Sequence, residues 1–258
     1  MQPAGVHPRA TVDRALTLAG EGRRPAEIAR LLAVPVSTVV HWCRGDRRGS
    51  RSDGRHEGCP RCHAVPLEED AYSYLLGAYL GDGYINVGRR GVASLSVFCG
   101  DDWPGVASEV REALRAVMPS SSVCDVRRAG CTQIKSYAVH WPCLFPQHGP
   151  GKKHTRDIVL APWQSAIVAE HPGRFLRGLF HSDGCRVTNW ATKRTESGVR
   201  RYEYPRYHFS NRSEDILGLC THALDLLDIP WRRSRRDMLS VSTRAGVATL
   251  DLVVGPKY

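Results

Sequence analysis

The apolar positions divide the chain into a short helical stretch, a polar break and a long body that repeats itself. "TVDRALTLAGEG" (residues 11–22) carries apolar residues at helical spacing and stops at Gly20 and Gly22. "PAEIARLLA" begins on Pro25, a favoured first helical residue, and Ile28, Leu31 and Leu32 give it one apolar face. After "VPV", the stretch "STVVHWCRG" predicts a further helix, with Ser37 as N-cap, Val40 and Trp42 turned inward and Gly45 as the stop. The pattern predicts short helices with a tight turn before the last.

Such an arrangement fits a helix-turn-helix. The segment resembles the helix-turn-helix domains of bacterial resolvases and regulators. In that reading the last helix is the probe, and Ser37, Thr38, His41 and Arg44 reach base edges or phosphates. A plain helical bundle is the alternative. Residues 1–46 are therefore expected to form a small all-α domain. "RGDRRGSRSDGRHEG" (44–58) has no apolar periodicity, and residues 47–68 are expected to be a basic linker that tracks phosphates without a fixed fold. The linker contains "CPRCH". Cys59 and Cys62 have the spacing of half a Zn2+ site, which His56, His63 or Cys43 would have to complete. The alternative is two thiols in a turn.

From Glu69 to the end, one order of elements occurs twice. The first copy runs from the helix-like "YLLGAYLGDGYI" (74–85) through strand-like "VASLSVFCG", helix-like "DDWPGVASEVREALRAV" and strands "SSVCDVRRAG" and "CTQIKSYAVHW" to "CLFPQHGPGKK". The second runs from "FLRGLFHSDGCR" (175–186) through "RYEYPRYHFSN", "RSEDILGLCTHALDLL", "DIPWRRSRR" and "DMLSVSTRAG" to "VATLDLVVGPKY". The copies cover about 69–154 and 171–258. Two similar halves suggest a pseudo-twofold within one chain, matching the local twofold of duplex DNA.

The leading helix of each copy has small residues four apart, Gly77 and Gly81 in the first, Gly178 and Ser182 in the second. Such residues share a helix face, and glycine costs about 1 kcal/mol in a helix interior relative to alanine. A close helix–helix contact is a reason to accept that cost. Packed together, these helices would bring Asp82 and Asp183 side by side at their C-terminal ends, with Gly83 and Gly184 turning the chain sharply away. Two carboxylates at helix ends of negative polarity repel each other, and a divalent cation resolves the conflict. Paired acids holding a metal against a phosphodiester suit metal-assisted hydrolysis.

Charge agrees with an acidic partner. The chain has 258 residues, with 36 Lys and Arg against 26 Asp and Glu, a formal charge of +10. Arginine forks match phosphates and guanine edges. The apolar content is ordinary, so a core can form, and no run approaches the roughly 18–20 apolar residues of a membrane span. No apolar secretory segment is evident at the N-terminus, and the nine cysteines are an odd number, so reduced thiols and a cytoplasmic location are expected.

"LLGAYLGDG" (75–83) and "LRGLFHSDG" (176–184) resemble the two LAGLIDADG motifs of single-chain homing endonucleases. The resemblance covers about Glu69 to Tyr258. It implies an α+β fold of two pseudo-twofold-related αββαββα repeats, here preceded by the small all-α domain. It implies saddle-shaped sheets astride the DNA major groove, a monomer with internal symmetry, and Mg2+-dependent double-strand cleavage with Asp82 and Asp183 as ligands. It also implies a basic residue late in each repeat, for which Lys152 or Lys153 and Lys257 stand in matching places, with Lys135 as a second choice. Groove readers are expected among Arg127, Arg128, Lys135, Arg232, Arg233, Arg235 and Arg236, and among Arg200, Arg201, Tyr204 and Arg206. Tyr79, Arg177 and His181 depart from a strongly apolar motif helix. No splicing signature is evident, so a free-standing protein is expected. A non-cleaving DNA-binding transcriptional regulator on the same fold is the alternative, and an RNA maturase is a third.

Overall fold

The computed structural model describes residues 7–44, 58–88, 91–196 and 198–258. The chain divides into two compact units, Met1–Gly58 and Cys59–Tyr258. Gly45, His56 and the rest of 45–57 lie outside the described residues.

The first unit contains α1 (Arg9–Gly20), α2 (Pro25–Leu32) and α3 (Val36–Cys43). Gly22 has a φ of +86°, which glycine adopts at no steric cost, and so ends α1. Pro25 opens α2 as expected. The chain bends by 120° between α2 and α3. Val12, Ala15, Leu18, Ile28, Ala29, Val34, Val39 and Trp42 form the core. Three details differ from expectation. Leu31 is 60% exposed, and Ala29 takes its place inside. Val39 is the buried valine of α3, with Val40 half-buried. Pro35, not Ser37, occupies the N-cap, so Ser37 lies within the first turn and is exposed.

The second unit repeats one order of elements. The first half is α4 (Glu69–Asp82), β1 (Gly83–Val87), β2 (Ala93–Gly100), α5 (Pro104–Val117), β3 (Ser122–Arg128), β4 (Cys131–Tyr137) and α6 (Trp141–Leu144). A 3₁₀ turn (Lys153–Thr155) and α7 (Pro162–Glu170) follow. The second half is α8 (Pro172–Asp183), β5 (Gly184–Thr195), β6 (Gly198–Ser210), α9 (Glu214–Asp225), β7 (Arg232–Arg235), β8 (Met238–Val241) and α10 (Arg244–Val253). Each half is αββαββα, with antiparallel sheets in the matching orders β1-β2-β4-β3 and β5-β6-β8-β7. This is the α+β fold that the resemblance implies. The Cys59–Cys62 segment, read from sequence as linker, belongs to this unit.

Both sheets turn one face to a shared core. Leu95, Val97 and Ile134 of the first sheet and Tyr207, Phe209 and Leu239 of the second are buried there among α4, α5, α8 and α9. Period-two alternation sends the next residues to the opposite face. Among the described residues no single helix is long and apolar enough to cross a membrane.

Candidate active site and nucleic-acid interface

The α4–α8 contact is as close as the small residues allow. A Cβ on Gly77 would lie 2.3 Å from the Phe175 carbonyl oxygen, and one on Gly178 would lie 2.1 Å from that of Tyr74. A Cβ on Gly81 would fall 2.3 Å from Ser182 Cβ. Ser182 Oγ donates across the seam to the Ala78 carbonyl at 3.3 Å. Each side chain that looked out of place in the motif helices has a partner. Tyr79 is buried 4.6 Å from the Phe145 ring. His181 is buried with Nδ1 3.2 Å from the Tyr74 hydroxyl, and burial holds its pKa down to about 4. Arg177 Nε donates to Glu109 at 2.7 Å, and its other nitrogens reach Glu109 and the Val254 carbonyl.

This contact brings Asp82 and Asp183 together at the helix ends. Gly83 and Gly184 play a different part from the one expected. Neither adopts positive φ; both are extended, at −88° and −100°. The chain runs straight from helix into strand, and a Cβ there would meet the preceding turn, 2.4 Å from Tyr79 Cα or Phe180 Cδ1.

Each helix end carries its own lysine. Lys153 Nζ donates to the carbonyls of Tyr79 and Gly81, at 2.5 and 2.7 Å. Lys257 Nζ donates to the Ser182 carbonyl at 3.2 Å. Both amines thus cap the negative ends of the seam helices. Desolvation at the seam and the neighbouring Asp183 push Asp82 up to about 6, against the pull of Lys153 and Lys257, although Asp82 still reaches solvent. Burial also raises Asp183, and its Oδ2 accepts a 2.7 Å hydrogen bond from Asn211. Burial lowers Lys153 to about 8 against the two carboxylates, and lowers Lys257 as well. Two acids that disfavour joint ionisation, open to solvent, fit the demands of a hard divalent cation. A cleft of about 560 Å³ beside them is lined by Asp183, Asn211, Arg212, Lys152, Lys153 and His154. A second, of about 390 Å³, contains Lys257, Cys185 and Arg186.

The expected groove readers separate by face. Lys135 pairs with Ser96 and Cys124, away from the core, and Arg128 lies on the same face, where it donates to Gln133. Arg127 pairs with Thr132, on the face turned to the helices. In the second sheet Arg200, Tyr204, Arg206, Arg232 and Arg235 share the face opposite Tyr207 and Phe209. Arg201 lies on the other face, 5.0 Å over the Trp190 ring. Arg233 is held by both Glu214 oxygens and by the Arg236 carbonyl, so it braces the β7–β8 turn. Exposed Arg236 borders a cavity of about 430 Å³ with His154 and Arg212. In the first unit Ser37, His41 and Arg44 are exposed and Thr38 is half-buried.

Sequence reasoning missed Asn211, although its place after "HFS", opposite "VFCGD" in the first copy, marked the segment. It also missed the partners of Cys59 and Cys62. His63 uses Nδ1 to accept from the Cys59 backbone N–H at 3.3 Å. The thiols of Cys59 and Cys62 instead meet His140 and Cys143.

No family model and no curated protein matches the sequence. Solved structures similar to this chain include LAGLIDADG homing endonucleases, and also full-length DUF199/WhiA from Thermatoga maritima, 14% identical with a TM-score of 0.43, covering 74% of this chain and 57% of its own. The homing endonuclease I-WcaI bound to its DNA recognition sequence is 11% identical with a TM-score of 0.46, covering 82% of this chain and 89% of its own. I-DmoI in complex with DNA and Mn is 10% identical, TM-score 0.46, covering 74% and 98%. The LAGLIDADG meganuclease I-AabMI bound to uncleaved DNA is 10% identical, TM-score 0.44, covering 70% and 82%. At such identities and scores the likeness adds no weight to the site reading, which rests on the seam.

Proposed function

We propose that this protein is a site-specific, divalent-metal-dependent double-stranded DNA endonuclease of the homing type. The observation that carries the proposal is the α4–α8 seam, where Asp82 and Asp183 meet and each helix end bears a partly buried lysine. Asp82 and Asp183 hold Mg2+, with the Tyr79–Asp82 and Phe180–Asp183 helix ends fixing the spacing. Bound there, Mg2+ supplies Lewis-acid stabilisation of the phosphodiester and a more acidic water. Lys153 and Lys257 place positive charge where the phosphate gains negative charge, one in each half. Asn211 orients Asp183 through its 2.7 Å hydrogen bond. Lys135, Arg128, Arg200, Arg206, Arg232 and Arg235 offer donors to base edges and phosphates from the open sheet faces, and Lys152 contacts phosphate at the cleft. The duplicated order supports a monomer whose pseudo-twofold matches that of the duplex.

The first unit supports a second DNA contact. Its 120° bend between α2 and α3 suits a helix-turn-helix, with Ser37, Thr38, His41 and Arg44 as readers. That unit also favours the second reading, a non-cleaving transcriptional regulator on the same body.

The deciding experiment incubates the full chain with Mg2+ and a randomised duplex library, then sequences the ends. The Asp82→Asn/Asp183→Asn variant runs in parallel. Defined ends from wild type alone are expected. An enriched bound sequence without ends would replace the endonuclease with the regulator.

A further inference from the structure

Cys59, Cys62, His140 and Cys143 each place one ligand atom within 4.8 Å of the others. Cys62 Sγ and Cys143 Sγ are 3.6 Å apart, and Cys143 Sγ is 3.6 Å from His140 Nδ1. A disulfide bond is about 2.05 Å long, so this separation is not one. A tetrahedral ion with Zn–S distances of about 2.3 Å sets its sulfur atoms about 3.8 Å apart. The sequence supplies these ligands as two short-spaced pairs, Cys-x-x-Cys and His-x-x-Cys, on segments 81 residues apart. Three soft sulfurs and one imidazole form a closed set, with no position left for substrate, so the chemistry is that of a structural site.

The surroundings hold the four ligands in place. Cys59 is fully buried in a tight turn, where the His63 backbone N–H donates to the Cys59 carbonyl at 2.9 Å. The His63 ring stands edge-on to His140, with ring centres 5.3 Å apart, and so backs the imidazole. Both carriers are anchored. Arg61 lies 4.6 Å over the Trp163 ring of α7, and the Tyr72 hydroxyl donates to the Leu144 carbonyl of α6.

We propose that Cys59, Cys62, His140 and Cys143 bind one structural Zn2+. The ion ties the segment preceding α4 to α6, which follows the first sheet, and closes a long loop around the first half of the body. It is separate from the cation at Asp82 and Asp183, and it holds whether or not the protein cuts DNA.

The test is elemental analysis of the full chain, purified under reducing conditions without chelator. About one zinc per chain is expected. Cys143→Ser and His140→Ala should each lose most of it, while Cys124→Ser and Cys185→Ser, at exposed thiols outside the cluster, should retain it. Because the ligand variants could fail to fold, wild type is also stripped and titrated with Co2+. The visible absorption of tetrahedral, thiolate-ligated Co2+ should rise and saturate at one equivalent. Zinc-free wild type with no such absorption would overturn the site. So would zinc content unchanged in both ligand variants, or an intact mass showing a Cys62–Cys143 disulfide.

Discussion

At the scale of single residues, the seam glycines and the lysines make separable predictions. Alanine at Gly77 or Gly178 inserts a methyl into the opposing backbone, where no rotamer change relieves it. Overpacking of this kind costs about 1–3 kcal/mol, and a rigid backbone neighbour puts these sites at the upper end. Thermal denaturation should show a Tm lower by about 6–12 °C, from about 2–4 °C per kcal/mol for a domain of this size. Lys153→Met keeps the side chain's bulk and removes the charge. Cleavage should fall at least about tenfold with DNA affinity nearly unchanged, as for a group acting in the transition state. An equal loss in affinity would make Lys153 a phosphate contact only. The Glu109–Arg177 pair gives a pH prediction. Burial alone would raise the Glu109 carboxyl, but the Arg177 hydrogen bonds outweigh it and hold it below its ordinary value. Stability from this pair is therefore present above the ordinary carboxylate range and lost as pH falls through the lowered value. Wild type should lose Tm faster than Glu109→Gln as pH drops below about 4.5.

At the scale of elements, the two halves are unequal. The β5–β6 hairpin pairs from Gly184↔Phe209 out to Thr195↔Gly198, whereas β1–β2 ends at Val87↔Ala93. Beyond Arg206 almost every side chain of the longer hairpin is half-buried or exposed, including Trp190 and Tyr202. A two-stranded ribbon with that exposure fits a major groove. Arg200→Ala and Arg206→Ala should each reduce the slope of log affinity against log salt by about one if they meet phosphates, or relax base preference at one position if they meet bases. Binding selections at several salt concentrations separate these outcomes. Arg233→Ala should leave both unchanged, because Glu214 and the Arg236 carbonyl already occupy its donors.

At the scale of the whole molecule, two further measurements apply. Deleting residues 1–58 should weaken DNA binding and flatten its salt dependence, since counterion release scales with the phosphates neutralised. An unchanged slope would remove the first unit from the DNA interface. Added Mg2+ should raise the Tm of wild type and not of Asp82→Asn/Asp183→Asn, because a ligand that binds only the folded state stabilises it. That readout tests the cation site without any need for a cleavable target.

The duplicated order, the small-residue seam and its acids are legible in the chain alone. Small residues four apart, a carboxylate and a glycine form a local pattern, and its repetition was legible without coordinates. Register between the copies offered Lys152 or Lys153 against Lys257, and the fold sets Lys153 at the helix end. What sequence could not give was decided at distance. Arg127 and Arg128 are neighbours in the chain, yet sheet pleating sends one toward the helices and the other to the open face. Gly83 and Gly184 read as turn glycines, yet they serve close packing in an extended backbone. Cys62 and Cys143 meet across 81 residues because β4 returns the chain beside the start of α4, a pairing that only the fold could make. Local spacing fixes which residues share a face of one element; tertiary packing alone decides which faces meet.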